Sequence, residues 1–379
     1  MATHRNVAVY GAYGHTGRFV VAELRERGYA PLLLGRDRDK LQAMSQSFPG
    51  APRPASARQL EAPPPTPAGQ LEAPLPAPAG HLEAPRPAPV DDPEALDRAL
   101  DGAEAVINTA GPFASTAGPV IEAALRAGIP YIDVAAEIEA NVDTFTHFAE
   151  RARAAGTVVL PAMAFYGGLG DLLVTTAMGD WSSADEAHIA YGLSSWHPTG
   201  GTLAAGAVSA RRRGGRRIRY SGGELRYHDD ALPTVEWPFP APLGTRSVLS
   251  EFTMADVVTV PSHLAIPEVR TYMTTNAASD LFSPDPTAPT AVDERGRSAQ
   301  TFVVDVVVRS GGAERRLVAT GQDIYAISAP LAVEAVERIL TGRTRAAGVA
   351  SAGALFDAPG FLDALSAHLT VHTPAATLG

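Results

Sequence analysis

The sequence predicts an α/β fold: a parallel sheet with helices on both faces, then an α+β domain whose closing helices return to the first. Two observations carry this. Short apolar runs alternate with amphipathic segments early in the chain, the pattern of a parallel sheet joined by crossover helices. From about Ala187 the texture changes to longer β-like runs and a hairpin signal, ended by a strong amphipathic stretch.

The elements follow in order. Val7–Tyr10 reads as a strand, Thr16–Arg27 as a helix closed by Gly28, and Pro31–Leu34 as a second strand before a helix at Arg38–Ser47. Ala105–Asn108 is a buried strand, Ala117–Ala127 a helix, and Ile129–Val134 a strand. Asn141–Ala155 is a helix and Thr157–Leu160 a strand. In the second domain Val257–Val260 reads as β, and Thr301–Arg309 turns through SGGAE into Arg315–Thr320 as a hairpin. Ala329–Leu340 is the amphipathic helix. The expected division is 1–170, 171–328 for substrate binding or dimerisation, and 329–379 packing back on the first domain.

One segment interrupts the alternation. Between 51 and 86 an 11-residue unit repeats as QLEAPPPTPAG, QLEAPLPAPAG and HLEAPRPAP. Proline at nearly every second position removes backbone donors and fixes φ, so neither a helix nor a central strand can form. The segment reads as an extended excursion, either a tandem expansion of a surface loop or a Pro-rich docking segment. Beyond it the pattern resumes with a short strand and a helix, Asp92 as N-cap and Pro93 in the first turn.

Composition excludes several chemistries. With no cysteine there is no disulfide, thiolate nucleophile, iron–sulfur cluster or Cys-ligated zinc. The ten histidines form no HExxH pair, so no metal site is expected. A net charge of −10 argues against nucleic acid as a partner. No apolar run approaches the roughly 18 residues of a membrane span, and MATHRN leads into a strand without a signal-peptide core. A cytoplasmic location is the default expectation. Lys40 is the one lysine, so a Tyr-x-x-x-Lys dyad cannot be assembled.

The stretch GAYGHTGR places Gly11, Gly14 and Gly17 between a strand and a helix. Such a turn lets backbone N–H groups approach a pyrophosphate at the positive end of the helix, as in Rossmann-like folds. After the second strand, LLLGRDRDK puts Arg36 where a 2′-phosphate would be read, with Lys40 close behind. Asp37 falls one residue later and reads as a helix cap. NADP(H) is therefore the expected cofactor.

GAYGHTGR, LLLGRD, AVINTAGPF and AGIPYIDVAAE, in that order, resemble the saccharopine dehydrogenase-like family of NADP-dependent reductases, which includes trans-acting enoyl reductases. The likeness is specific from residue 5 to about 175, leaving aside the repeat, and beyond that rests on ATGQDIYAISAP. The resemblance implies that Gly11, Tyr13, Gly14, His15, Thr16 and Gly17 cradle the pyrophosphate. It implies too that Thr109, Ala110, Gly111, Pro112 and Phe113 face the nicotinamide. Enoyl reductases of the family tend to carry a phrase like GFDSxPSDL after the sixth strand, whereas this chain has AFYGGLGDLL. Tyr166 thus stands where an Asp is common, Asp171 is kept, and the substrate class cannot be copied.

Hydride transfer needs a proton donor beside the acceptor. Four residues are candidates, each with a structural alternative. Asp133 and Glu137 lie at and beyond the end of the fifth strand, as acids or as braces and caps. Tyr166 offers a phenol or packs at a domain junction, and His197 in SSWHPTGGT reaches the cleft or sits on the surface. RRRGGRRIR, residues 211–219, is an anion site for a carrier-bound substrate or an exposed turn balancing nearby acids. The expectation is an NADPH-dependent reductase of a C=N or C=C bond in a small-molecule or acyl substrate, with a homodimer left open. The alternative is an inactive NADP-binding sensor.

Overall fold

A computed structural model describes residues 5–47 and 84–373. Most of the Pro-rich repeat lies outside the described residues. Among them no helix is long and apolar enough to cross a membrane.

The first lobe runs β1 (Asn6–Tyr10), α1 (His15–Glu26), β2 (Ala30–Gly35), α2 (Arg38–Ser47), β3 (Arg86–Pro87), α3 (Pro93–Leu100), β4 (Ala105–Asn108), α4 (Phe113–Ala127), β5 (Tyr131–Asp133), α5 (Ile138–Ala154) and β6 (Val158–Leu160). A turn at Phe165–Leu169 leads into α6 (Gly170–Met178). The second lobe contains β7 (Glu186–Leu193), α7 (Gly200–Arg212), β8 (Arg217–Ser221), β9 (Glu224–His228), β10 (Thr234–Pro238), β11 (Thr245–Ser250), α8 (Asp256–Thr259), β12 (Glu268–Thr274), α9 (Thr275–Leu281), β13 (Thr301–Ser310) and β14 (Ala313–Gln322). The chain closes with α10 (Ser328–Leu340), β15 (Gly348–Val349), α11 (Ala352–Leu355), α12 (Ala358–Ala364) and β16 (Leu369–His372).

The first sheet has the order β15-β6-β5-β4-β1-β2-β3 and is parallel throughout. Its strands are apolar on both faces, with β1, β2 and β4 almost wholly buried, because helices cover each side. The chain leaves β1 toward β2 and β3, then crosses back to β4 on the other side of β1. The crevice at the carboxyl ends of β1 and β4 is therefore the switch point where ligands bind in such sheets.

The second sheet runs β10-β11-β12-β7-β13-β14-β16, with the β8–β9 hairpin attached to β12. It is antiparallel except for β12 beside β7. One hydrophobic core joins the lobes: Val7 and Val9 of β1 belong to the same buried cluster as Ile189 of β7 and Val304 of β13. The returning segment makes the junction double. α10 packs on α1, where Arg27 holds Glu334 at 2.6 Å, while β15 extends the first sheet beside β6. This is the Rossmann-like α/β architecture with a second α+β unit and returning helices.

Local rules account for the caps. Asp92 accepts from the Ala95 N–H at 2.9 Å with Pro93 behind it, and Asp37 accepts from the Lys40 N–H at 3.0 Å to start α2. Two expectations are corrected. Val257–Val260 is not a strand: α8 covers Asp256–Thr259, followed by a tight turn at Val260–Ser262. A short run of buried apolar residues has no periodicity that separates the two states, and the tertiary partners of Asp256 and Thr259 decide it. α4 begins at Phe113 rather than Ala117, because its first turn is capped from outside the helix.

Candidate functional site

A cleft of about 1320 Å³ opens where the switch point of the first sheet faces the second lobe. Its floor begins at the glycine turn. Gly11 has φ +84°, and a Cβ there would come within 2.8 Å of the Ala110 side chain. A Cβ on Gly17 would lie 2.3 Å from the Gly11 carbonyl, so helix and turn meet only because neither carries a side chain. Gly17 itself is buried in that contact and does not line the cleft, whereas Gly11, Tyr13, Gly14, His15 and Thr16 do.

No side chain caps α1, and its first turn holds no acid. The unmet N–H groups and the helix dipole suit a phosphate there. His15 packs edge-on against Phe19 and Tyr325, and its Nε2 is buried without a hydrogen-bond partner among the described residues. Burial lowers the pKa of its ring, outweighing Asp323, which raises it. Arg36, exposed just past β2, lines the cleft. Lys40 stands outside it, largely exposed, 3.4 Å from Asp37 and above the Tyr13 ring.

Thr109, Ala110, Gly111, Pro112 and Phe113 all line the cleft. Thr109 Oγ1 donates to the carbonyl of Tyr10 at 3.0 Å, tying β4 to β1 at the switch point. Gly111 looks across at α7, the Gly201 carbonyl lying 3.9 Å from a Cβ built on it.

The four candidate donors separate clearly. Asp133 is buried beneath the sheet edge and does not line the cleft. Its carboxylate accepts from the N–H groups of Ala135 and Ala162 and from the Tyr131 hydroxyl, at 3.0, 2.8 and 2.8 Å. Burial pushes it up to about 6, against the lowering effect of these donors. It braces the turn after β6, where Ala162 has φ +56°. Glu137 lines the cleft, but both oxygens are engaged by the backbone of α4. Burial raises its pKa and those N–H groups partly offset the rise. His197 does not line the cleft; its backbone carbonyl lies 3.4 Å from the Tyr325 hydroxyl.

Tyr166 is different. It lines the cleft, is 6% exposed, and its hydroxyl has no hydrogen-bond partner among the described residues. Its ring packs between Phe165, Tyr191 and Trp196, at centroid distances of 4.8, 4.9 and 5.4 Å. Burial pushes the phenol well above 10, so it stays protonated. The turn that carries it is pinned from below: Thr259 donates to the Gly167 carbonyl at 3.1 Å, and Phe165 N–H to Ser328 Oγ at 3.2 Å.

Sequence reasoning missed the pair that closes the cleft from the second lobe. The Tyr325 hydroxyl accepts from Trp196 Nε1 and from the Thr199 N–H at 3.3 and 3.2 Å, and meets Thr202 Oγ1 at 2.9 Å. The signal lay in QDIYAISAP, but only the fold brings Tyr325 to SSWHPTGGT. Four of the arginines of 211–219 are engaged by neighbouring side chains. Arg212 pairs with Asp143, Arg213 with Glu139, and Arg219 with Asp230 and Glu251, while Arg216 lies over Tyr227. Only Arg213 of these lines the cleft.

Comparisons with known proteins bear on the fold and on the first lobe. The family model of the saccharopine dehydrogenase NADP-binding domain matches residues 80–160. A probable mitochondrial saccharopine dehydrogenase-like oxidoreductase of Arabidopsis thaliana is 27% identical over 169 residues, 42% of this chain and 32% of that protein. The match thus spans about a third of the relative's own length. Among solved structures, apo saccharopine dehydrogenase (L-Glu forming) from Saccharomyces cerevisiae superposes with a TM-score of 0.60 at 11% identity. That match covers 98% of this chain and 100% of the other. It shows a shared fold. On these matches residues 80–160 are similar to the saccharopine dehydrogenase NADP-binding domain, and the chain as a whole shares the fold of saccharopine dehydrogenase.

Proposed function

We propose that the protein is an NADP(H)-dependent oxidoreductase that transfers a hydride to a C=N or C=C bond of a small molecule held between the lobes. The observation that carries this reading is the cleft itself. It runs from the glycine turn to Tyr166 and the second lobe, and its 1320 Å³ exceeds the roughly 300–1,000 Å³ of a single-ligand site. A dinucleotide leaves room for a second molecule.

The residues present suit the cofactor. The uncapped first turn of α1, with Gly11, Tyr13, Gly14, His15 and Thr16 around it, would hold the pyrophosphate. Arg36, with Lys40 nearby, would hold a 2′-phosphate, and Thr109 to Phe113 would border the nicotinamide. Bound there, the nicotinamide supplies the hydride. The chain's own contribution is the proton. Tyr166 keeps it at a buried hydroxyl with no hydrogen-bond partner among the described residues, and a small turn of the ring toward the cleft would hand it to the substrate atom that gains the electron pair as the neighbouring carbon takes the hydride. Asp133 and Glu137 act as braces in this reading, since backbone donors already occupy them.

The test is to titrate the purified protein with NADPH and NADH, then follow loss of reduced-nicotinamide absorbance with a panel of imines and enoyl thioesters. Tight NADPH binding with turnover of one panel member is expected. Tight binding with no turnover across the panel would refute the enzyme and favour an NADP-binding sensor.

A further inference from the structure

Past the glycine turn the cleft changes character. Tyr166, Trp196, Phe252 and Phe282 make a run of ring contacts, with successive centroids 5.4, 6.1 and 6.1 Å apart. The first three are buried and Phe282 is 68% exposed, so this wall leads from the interior to solvent. All four line the cleft, as do Leu203, Ala204 and Ala207 of α7. At its inner end stands the Tyr166 hydroxyl, buried and unpartnered.

The charges around this region are already spoken for. Among the described lining residues the charged ones are Arg36, Asp91, Glu137 and Arg213. Arg36 and Asp91 flank the expected 2′-phosphate end. Glu137 is held by the backbone of α4, and Arg213 by Glu139 at 3.2 Å and Ser209 at 3.0 Å. A carboxylate brought in beside Trp196 and Phe252 would meet no free cation, and burying it unpaired is costly.

We infer that the substrate is an uncharged compound with an apolar tail, its C=N or C=C group beside Tyr166 and its tail along Trp196 and Phe252 toward Phe282. Amino acids and dicarboxylates are poor occupants. This rests on the oxidoreductase reading of the same cleft.

Binding tests it without turnover. Enoyl N-acetylcysteamine thioesters from crotonyl to decenoyl are titrated against intrinsic tryptophan fluorescence, on the free protein and on the NADPH complex, with Trp196→Phe assigning the signal. The expected result is a Kd that falls about fourfold per added methylene, the value for burying one CH₂ in an apolar site. Glutamate and 2-oxoglutarate should not displace the decenoyl probe. Leu203→Arg, an exposed change in the wall, should weaken decenoyl binding by about tenfold or more and spare the crotonyl probe and NADPH. Ala207→Trp should shorten the chain length at which affinity stops rising. A flat series, or displacement by either dicarboxylate, overturns the inference. Failure of NADPH to bind is read separately and overturns the cofactor assignment instead.

Discussion

Glu137 caps α4 from the loop after the neighbouring strand β5: its two carboxylate oxygens accept from the backbone N–H groups of Phe113 and Ala114 at 2.8 and 3.1 Å. The residue thereby fixes the turn that would border the nicotinamide. Glu137→Ala should cost about 1–3 kcal/mol of stability, the range for stranding buried N–H groups, and should weaken NADPH binding. Glu137→Gln keeps one acceptor and should lose less of both. Thermal melts and NADPH titrations read these effects. A Gln variant with unchanged melting and no turnover would instead make Glu137 the acid.

Tyr166→Phe removes a buried hydroxyl that no group among the described residues satisfies. The free protein should melt at the same temperature or higher, because an unpaired buried polar group is a burden on the native state. Turnover should fall by about a hundredfold or more, the contribution of a positioned general acid, with NADPH affinity intact. Retained turnover would assign the proton to another group.

Arg36 is exposed and bears on cofactor choice rather than on folding. Arg36→Ala should weaken NADPH by about tenfold or more, the loss of a charge-assisted contact to phosphate, and leave NADH unchanged. Paired calorimetric titrations decide it. A wild-type preference for NADH would sink the assignment.

Asp256 gives the protein a pH-dependent weakness. It is wholly buried and its Oδ1 accepts from the Tyr191 hydroxyl at 2.9 Å, while its Oδ2 has no hydrogen-bond partner among the described residues. Burial pushes its pKa up to about 7, against the lowering influence of Tyr191 and nearby backbone. The unfolded chain titrates at about 3.9, so between there and pH 7 the native state binds more protons and stability falls as pH rises. Asp256→Asn keeps an acceptor for Tyr191 and should flatten that decline, measured by urea unfolding across the window. Asp133, raised to about 6, leaves part of the slope in place. An unchanged slope in the Asn variant would show that Asp256 does not titrate there.

The first sheet was legible because each of its signals is local. VAVYGAYGHTGR carries strand, turn and helix within a dozen residues, and Asp92 and Asp37 announce the helices they cap. α8 was not legible, because Asp256 and Thr259 take their partners from Tyr191 and Gly167, distant in sequence. The start of α4 was hidden for the same reason, its cap lying on another element. Within the site, the glycine turn could be read from spacing, but the choice among Asp133, Glu137, Tyr166 and His197 could not. Burial and occupied lone pairs separate them, and neither is written in the residue types.

The return of α10 and β15 to the first sheet, with β16 then rejoining β14, carries a mechanical consequence. The backbone passes between the lobes after β6, again after β14, and once more before β16. Two jaws stitched together by repeated strands of one thread, over one shared core, share their fate on unfolding. Heating should therefore melt both sheets in one cooperative event.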